Sequence, residues 1–172
     1  MLQSRRLEAI VAMTVVILDQ ITKAMVRPAL ALHESREVIP GFLDLTRVHN
    51  TGAAFGMLNA VDFPFKTIVL SLVAAIALGG VAWYAATVPL SDRLARLGIA
   101  GVLGGAIGNL IDRARSGYVL DFVDAYWGGW HFWAFNVADA AITVGVIFMI
   151  LDILGLGKRS NAQASFNASN PV

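Results

Sequence analysis

The chain predicts an all-α membrane protein with a small β element: four transmembrane helices plus a short extra-cytoplasmic β-sheet. Three observations carry this expectation. The 172 residues are 57% hydrophobic and have a mean hydropathy of +0.67, against about 45–50% apolar in ordinary soluble domains. Four segments approach the roughly 20 mostly apolar residues that a bilayer span needs. The short basic clusters alternate with those segments so that all of them fall on one side.

The first span is Leu7–Val26, "LEAIVAMTVVILDQITKAMV". Arg5 and Arg6 before it suggest a signal peptide, but interior Asp19 and Lys23, with no small-residue cleavage site after the core, argue for a retained helix. The second, Thr67–Ala86, carries no charge; the third is Leu94–Ile111, and the fourth is Trp133–Leu154. Arg5 and Arg6, Arg93 and Arg96, and Lys158 and Arg159 share one side, which makes both termini cytoplasmic. The opposite side receives segments 27–66 and 112–132, which hold Glu34, Glu37, Asp44, Asp62, Asp112, Asp121 and Asp124. One membrane domain over 1–157 and a polar, disordered cytoplasmic tail over 158–172 complete the expected organisation.

Composition excludes several classes. Cysteine is absent, so disulfides, thiolate metal sites and a cysteine nucleophile are out. The net charge is +1, with no basic run of the kind that nucleic-acid binding uses. No G-x-S-x-G occurs, and His33, His49 and His131 lack metal-type spacing. No metal or cofactor is expected.

Topology then places the polar residues in depth. At 1.5 Å per residue, Asp19 lies roughly 10 Å below the outer end of the first span. Lys23 shares its face at i,i+4. Asn109 and Arg113, also i,i+4, end the third span, and Asn136 and Asp139 begin the fourth. Three helices thus bring polar groups to one outer layer. Ionisable residues inside spans are rare and mark functional sites by default. Blander readings exist for each. Asp19 and Lys23 read equally as a structural ion pair. Asn109 suits an interhelical hydrogen bond in the small-residue face of Gly101, Gly104, Gly105 and Gly108. Arg113 suits a snorkelling anchor. Asp139 has no cation within its own helical turn.

The outer segments predict a small sheet. Pro40-Gly41 is a turn signal between Val38-Ile39 and the alternating stretch from Leu43. Asn50 begins a turn-like Asn-Thr-Gly, and Ala53-Ala54-Phe55 is apolar enough for the membrane surface. Tyr118, Val119, Phe122 and Val123 favour an extended strand. Tyr126, Trp127, Trp130 and Trp133 form an aromatic interface cluster. Asp121 lies in that apolar strand at the depth of Asp139. Two carboxylates brought together do not both ionise easily and tend to share a proton. One can then activate water while the other polarises a carbonyl.

"LDQITK" (18–23), "HNTGAAFG" (49–56), "GGAIGNLIDR" (104–113), "VLDFV" (119–123) and "FNVADAAITVG" (135–145) resemble, in order and spacing, the motif set of the bacterial lipoprotein signal peptidases, signal peptidase II. The resemblance covers the first span through the fourth. It implies an aspartic endopeptidase of the bacterial inner membrane, active near the outer face, that cuts prolipoproteins before a diacylglyceryl-modified cysteine. It implies Asp121 and Asp139 as the catalytic dyad, with Asp124 set aside because Phe122 follows Asp121. Asn50, Asn109, Arg113 and Asn136 match positions lining the site, and Asp19 and Lys23 match supporting ones. The implied fold is a four-helix bundle with a periplasmic "cradle" sheet. The implied partners are the lipid-modified prolipoprotein, membrane phospholipid and cyclic-peptide inhibitors, on a monomer. His49 and the "DAYWGGWHFW" turn are outside the motifs. A proton-coupled transporter would spread polar residues through the whole membrane thickness, and an assembly protein gives no reason for two separate apolar-set aspartates.

Overall fold

The computed structural model describes residues 2–52, 58, 61 and 63–156. The elements run α1 (Leu2–Ala29), β1 (Ser35–Ile39), β2 (Leu43–Asn50), α2 (Lys66–Thr87), α3 (Arg93–Ser116), β3 (Val119–Trp127), β4 (Trp130–His131) and α4 (Val137–Ile153). The expected tail (158–172), the surface stretch Ala53-Ala54-Phe55 and Asp62 lie outside the described residues.

The helices are held by α3. Its glycines take the place of side chains where α1 and α4 come closest. A Cβ on Gly105 would collide with the Ala138 carbonyl of α4, and one on Gly104 would stand 2.7 Å from the Ala12 carbonyl of α1. Glycine weakens a helix by about 1 kcal/mol relative to alanine, so these residues mark close backbone approach, the usual basis of helix association in lipid. α2 packs on α3 and makes no substantial contact with α1 or α4.

Solvent preference is inverted relative to a water-soluble bundle. Ile68, Leu72, Ile76 and Trp83 of α2 are exposed, as are Ile150 and Ile153 of α4, while Asp19, Lys23, Asp112 and Asn136 are buried. Three helices, Arg5–Ala29, Lys66–Thr87 and Arg93–Ser116, are long and apolar enough to cross a membrane. The fourth has 17 residues, about 26 Å.

A four-stranded antiparallel sheet of order β1-β2-β3-β4 covers the end of the bundle where α1 and α3 finish and α2 and α4 begin. The Pro40-Gly41 signal gives a tight turn: Gly41 has φ +73°, and the Phe42 N–H donates to the Ile39 carbonyl at 3.0 Å. Pro at the second position and a positive-φ Gly at the third are what a type II turn requires. Val26 of α1 and Leu30 just beyond it pack with Leu120 and Phe122 of β3, fastening sheet to bundle.

Two boundaries differ from expectation. α3 continues through Ser116 rather than ending at Ile111, and stops where Gly117 turns left-handed at φ +79°. That carries Asp112 and Arg113 into the helix. The fourth helix begins at Val137 rather than Trp133, because Phe135 first pairs with Val123 beside β3. Asn136 then caps α4 in a reciprocal capping box with Asp139.

Candidate active site

Pairing of Phe135 with β3 sets Asn136, and with it the N-terminus of α4, against Asp121. The Asn136 side-chain amide donates to Asp121 Oδ1 at 2.7 Å, and its backbone N–H donates to Asp139 Oδ2 at 3.2 Å. One residue therefore touches both carboxylates. Asp121 receives a second bond from the Asn50 amide at 3.0 Å. The turn reading of Asn50 holds as well, since its Oδ1 accepts the Gly52 N–H at 2.9 Å. The turn orients the amide toward the carboxylate. Asp139 Oδ1 accepts from the Asn109 amide at 2.8 Å.

Below this pair lies a group of full charges. Lys23 Nζ reaches Asp19 Oδ2 at 2.9 Å, Asp112 Oδ2 at 3.0 Å and Asn109 Oδ1 at 3.0 Å. An ammonium has three donors, so these contacts saturate it. Arg27 pairs with Asp112 at 3.1 Å. Backbone completes the set: Asp19 Oδ1 accepts the Ala138 N–H at 3.1 Å, and Asp112 Oδ2, already held by Lys23, also accepts the Leu120 N–H at 3.0 Å. Asp19 thus caps α4 from a different helix, where a helix N-terminus favours negative charge. Two carboxylates and two cations give a neutral set, the condition under which charges survive burial.

The two groups meet at Asn109. Because Lys23 occupies its Oδ1, the amide nitrogen is the end left to face Asp139. Arg113 makes no hydrogen bond to these carboxylates among the described residues; it lines the same space as Asn109 and Asp139 and donates to the Gly52 carbonyl at 2.9 Å. The expected residues Asp19, Lys23, Asn50, Asn109, Asn136 and Asp139 thus form one hydrogen-bonded system with Asp121, and Arg113 holds the adjoining turn. Asp112, Arg27 and Gln20 were not anticipated. Gln20 donates to Asp19 and lies 3.4 Å from Asp112. Lys23 and Arg27 at i,i+4, facing Asn109 and Asp112 at i,i+3, are the sequence signal that identifies them. Lys66, buried at the start of α2 and 3.4 Å from Thr51 Oγ1, was also missed.

Electrostatics separate the carboxylates. Burial, then the charge of nearby Asp139, raises the Asp121 carboxyl to about 7, against hydrogen bonds from Asn50 and Asn136 and the Lys23 charge that favour ionisation. Neither Asp121 nor Asp139 makes an ion pair among the described residues. A cleft of about 330 Å³ lies between α2 on one side and α3 and α4 on the other. Asn50, Asn109, Arg113 and Asp139 form its polar end, and Leu70, Val73, Ala77 and Ile142 belong to its apolar walls. Asp121 does not line it, although its partner Asn50 does. Chemically, carboxyl groups held by amides, one of them at the polar end of an apolar cleft, are placed to exchange protons with a bound polar bond.

The family model for signal peptidase (SPase) II matches residues 11–155. The chain is 43% identical over 152 residues to the lipoprotein signal peptidase of Syntrophus aciditrophicus (strain SB), covering 88% of this chain and 94% of that one. It is 45% identical over 145 residues to the lipoprotein signal peptidase of Maridesulfovibrio salexigens, covering 84% and 93%. A bacterial membrane enzyme solved by the in meso method superimposes with a TM-score of 0.74 at 31% identity, over 86% of this chain and 92% of that chain. A second such structure gives a TM-score of 0.73 at 34% identity, over 86% and 87%.

Proposed function

The chain belongs to the signal peptidase II family, and from that premise we propose that it is an aspartic endopeptidase acting through Asp121 and Asp139. It removes the signal peptide from diacylglyceryl-modified prolipoproteins, cutting before the lipidated cysteine. The observation that carries the mechanism is the convergence of both carboxylates on Asn136, with amides as their side-chain hydrogen-bond donors and no ion pair to either among the described residues.

One carboxyl holds a proton and the other is ionised. The ionised group takes a proton from a water as its oxygen attacks the scissile carbonyl carbon. The protonated group gives its proton to the carbonyl oxygen, leaving a neutral gem-diol. Collapse returns one hydroxyl proton to the second carboxylate, and the C–N bond breaks as the first carboxyl protonates the leaving nitrogen. Protons and charge balance, and the pair ends ready for another cycle. The raised Asp121 carboxyl makes it the natural proton holder near neutrality. The apolar cleft between α2 and α4 suits the acyl chains, which would enter sideways from lipid. Reaching Asp121 from the cleft takes a shift of Asn50.

In this reading α4 is the fourth span. The capping at Asn136 puts its polar start just under the interface, and 17 residues cross most of the roughly 30 Å hydrocarbon layer. The positive-inside pattern places both termini in the cytoplasm and the site near the outer face of the bacterial inner membrane. The deciding experiment is turnover of a lipid-modified prolipoprotein by Asp121→Asn and Asp139→Asn. Both are expected to fold and fail to cleave; normal cleavage by either rejects the dyad.

A further inference from the structure

At the end of the bundle away from the sheet, a second cleft of about 340 Å³ opens between α1 and α2, floored by α3. It exists because α2 rests on α3 without closing on α1. Its walls are small: Ala9 and Ala12 on α1, Ala82 and Ala85 on α2, with Ile99 and Leu103 beneath. Three polar residues sit at its mouth, Arg5, Glu8 and Arg96. Arg96 is buried and bonded: its Nε and Nη2 hold the Glu8 carboxylate, and its Nη1 donates to the Val88 carbonyl at 2.6 Å. Glu8 is thereby matched. Arg5 is exposed and makes no hydrogen bond or ion pair among the described residues. An unmatched cation thus stands over an alkyl-sized groove.

We propose that this cleft binds one anionic phospholipid, with an acyl chain along the alanine walls and the phosphate on Arg5. The charge pattern carries the choice of occupant. Apolar walls under a free guanidinium complement an amphiphile with an anionic head, and Glu8 spends its charge on Arg96 rather than repelling that head. Volume excludes a helix from another copy: the cleft holds about 340 Å³, less than the roughly 400 Å³ of a single turn of a helix about 10 Å across. Basic pockets between spans at the positive end of a membrane protein are suited to such headgroups. The inference needs only the membrane setting and is independent of the Asp121/Asp139 mechanism.

The test is lipid retention by the purified full chain, measured by native mass spectrometry after mixing with phosphatidylglycerol or phosphatidylcholine of matched chains. The unmodified protein should retain phosphatidylglycerol preferentially. Arg5→Gln should cut that preference about fivefold, the scale of one basic residue near an anionic surface. Ala82→Phe, which fills the groove without altering charge, should lower retention of the same lipid. Arg93→Gln, an exposed arginine outside the cleft, should leave it unchanged. Equal retention of the two lipids, an Arg5→Gln protein that still discriminates, or an equal loss in Arg93→Gln would overturn the proposal in favour of diffuse attraction or none. Peptidase turnover serves as the folding control, because none of these residues lies near the dyad.

Discussion

Two buried carboxylate groups lie within one network and are built differently. Asp19 and Asp112 are surrounded by Lys23, Arg27 and backbone N–H groups, so their charges are matched. Asp121 and Asp139 are held by the amides of Asn50, Asn109 and Asn136. An amide fixes a carboxylate in position without fixing its charge. A nearby cation favours the charged form of a carboxylate, and amide donors do so more weakly. The first arrangement suits a structural role, and the second suits the acid–base role proposed for Asp121 and Asp139.

The largest effect expected from this contrast is on turnover. Asp121→Asn or Asp139→Asn should lower the cleavage rate by about 10⁴-fold, the upper range for general acid–base groups, with thermal unfolding in detergent unchanged or improved. A loss of folding in step with activity would erase the distinction. Next, Lys23→Met leaves Asp19 and Asp112 without their shared cation. Breaking a buried pair from one side costs about 3–5 kcal/mol, read as a large drop in the unfolding midpoint. Activity should fall as well, since Asn109 loses the partner that orients it toward Asp139. A Lys23→Met protein as stable as the parent would show the ion group to be incidental.

A smaller effect sharpens the boundary. Asn50→Leu removes a bond that favours ionised Asp121. A hydrogen bond to a charged group is worth about 1.5–3 kcal/mol, so the pH–rate profile should move upward by about one unit. Smallest of all is Asp124→Asn. Asp124 shares strand β3 with Asp121 but pairs with half-exposed His131 at 2.9 Å, and such pairs contribute about 0–1 kcal/mol. Its turnover should stay within about twofold of the parent. A loss comparable with Asp121→Asn would show that strand position, rather than environment, makes an aspartate reactive.

Much of this contrast was legible in the sequence. The i,i+4 step from Asp19 to Lys23 and the i,i+3 step from Asn136 to Asp139 place those side chains without a structure. Pro40-Gly41 located the first hairpin. What escaped detection depended on where helices stop. Ending α3 at Ile111 turned Asp112 into a loop charge, whereas the left-handed Gly117 extends the helix and makes Asp112 the hub for Lys23 and Arg27. Apolar Trp133–Phe135 looked like helix, but the unpaired edge of β3 captures Phe135 first. Lys66, one position before an apolar run, carried no pattern to distinguish it from an ordinary flank. These outcomes rest on long-range pairing, which local periodicity does not encode.

The central claim is that Asp121 keeps a titratable proton near neutral pH. Burial and the neighbouring Asp139 push its folded carboxyl up to about 7, from the ordinary aspartate value of 3.8. The folded state therefore holds a proton that the unfolded chain has released, and Asp121 makes stability fall as pH rises from about 4 to about 7, by about 4 kcal/mol in total. The most direct measurement is infrared titration of the reconstituted enzyme with isotope-labelled aspartate. A protonated carboxyl band that disappears with a midpoint near pH 7, and that is missing from Asp121→Asn, is the predicted result. No aspartate band titrating above pH 5, or one that persists in Asp121→Asn, would contradict the account.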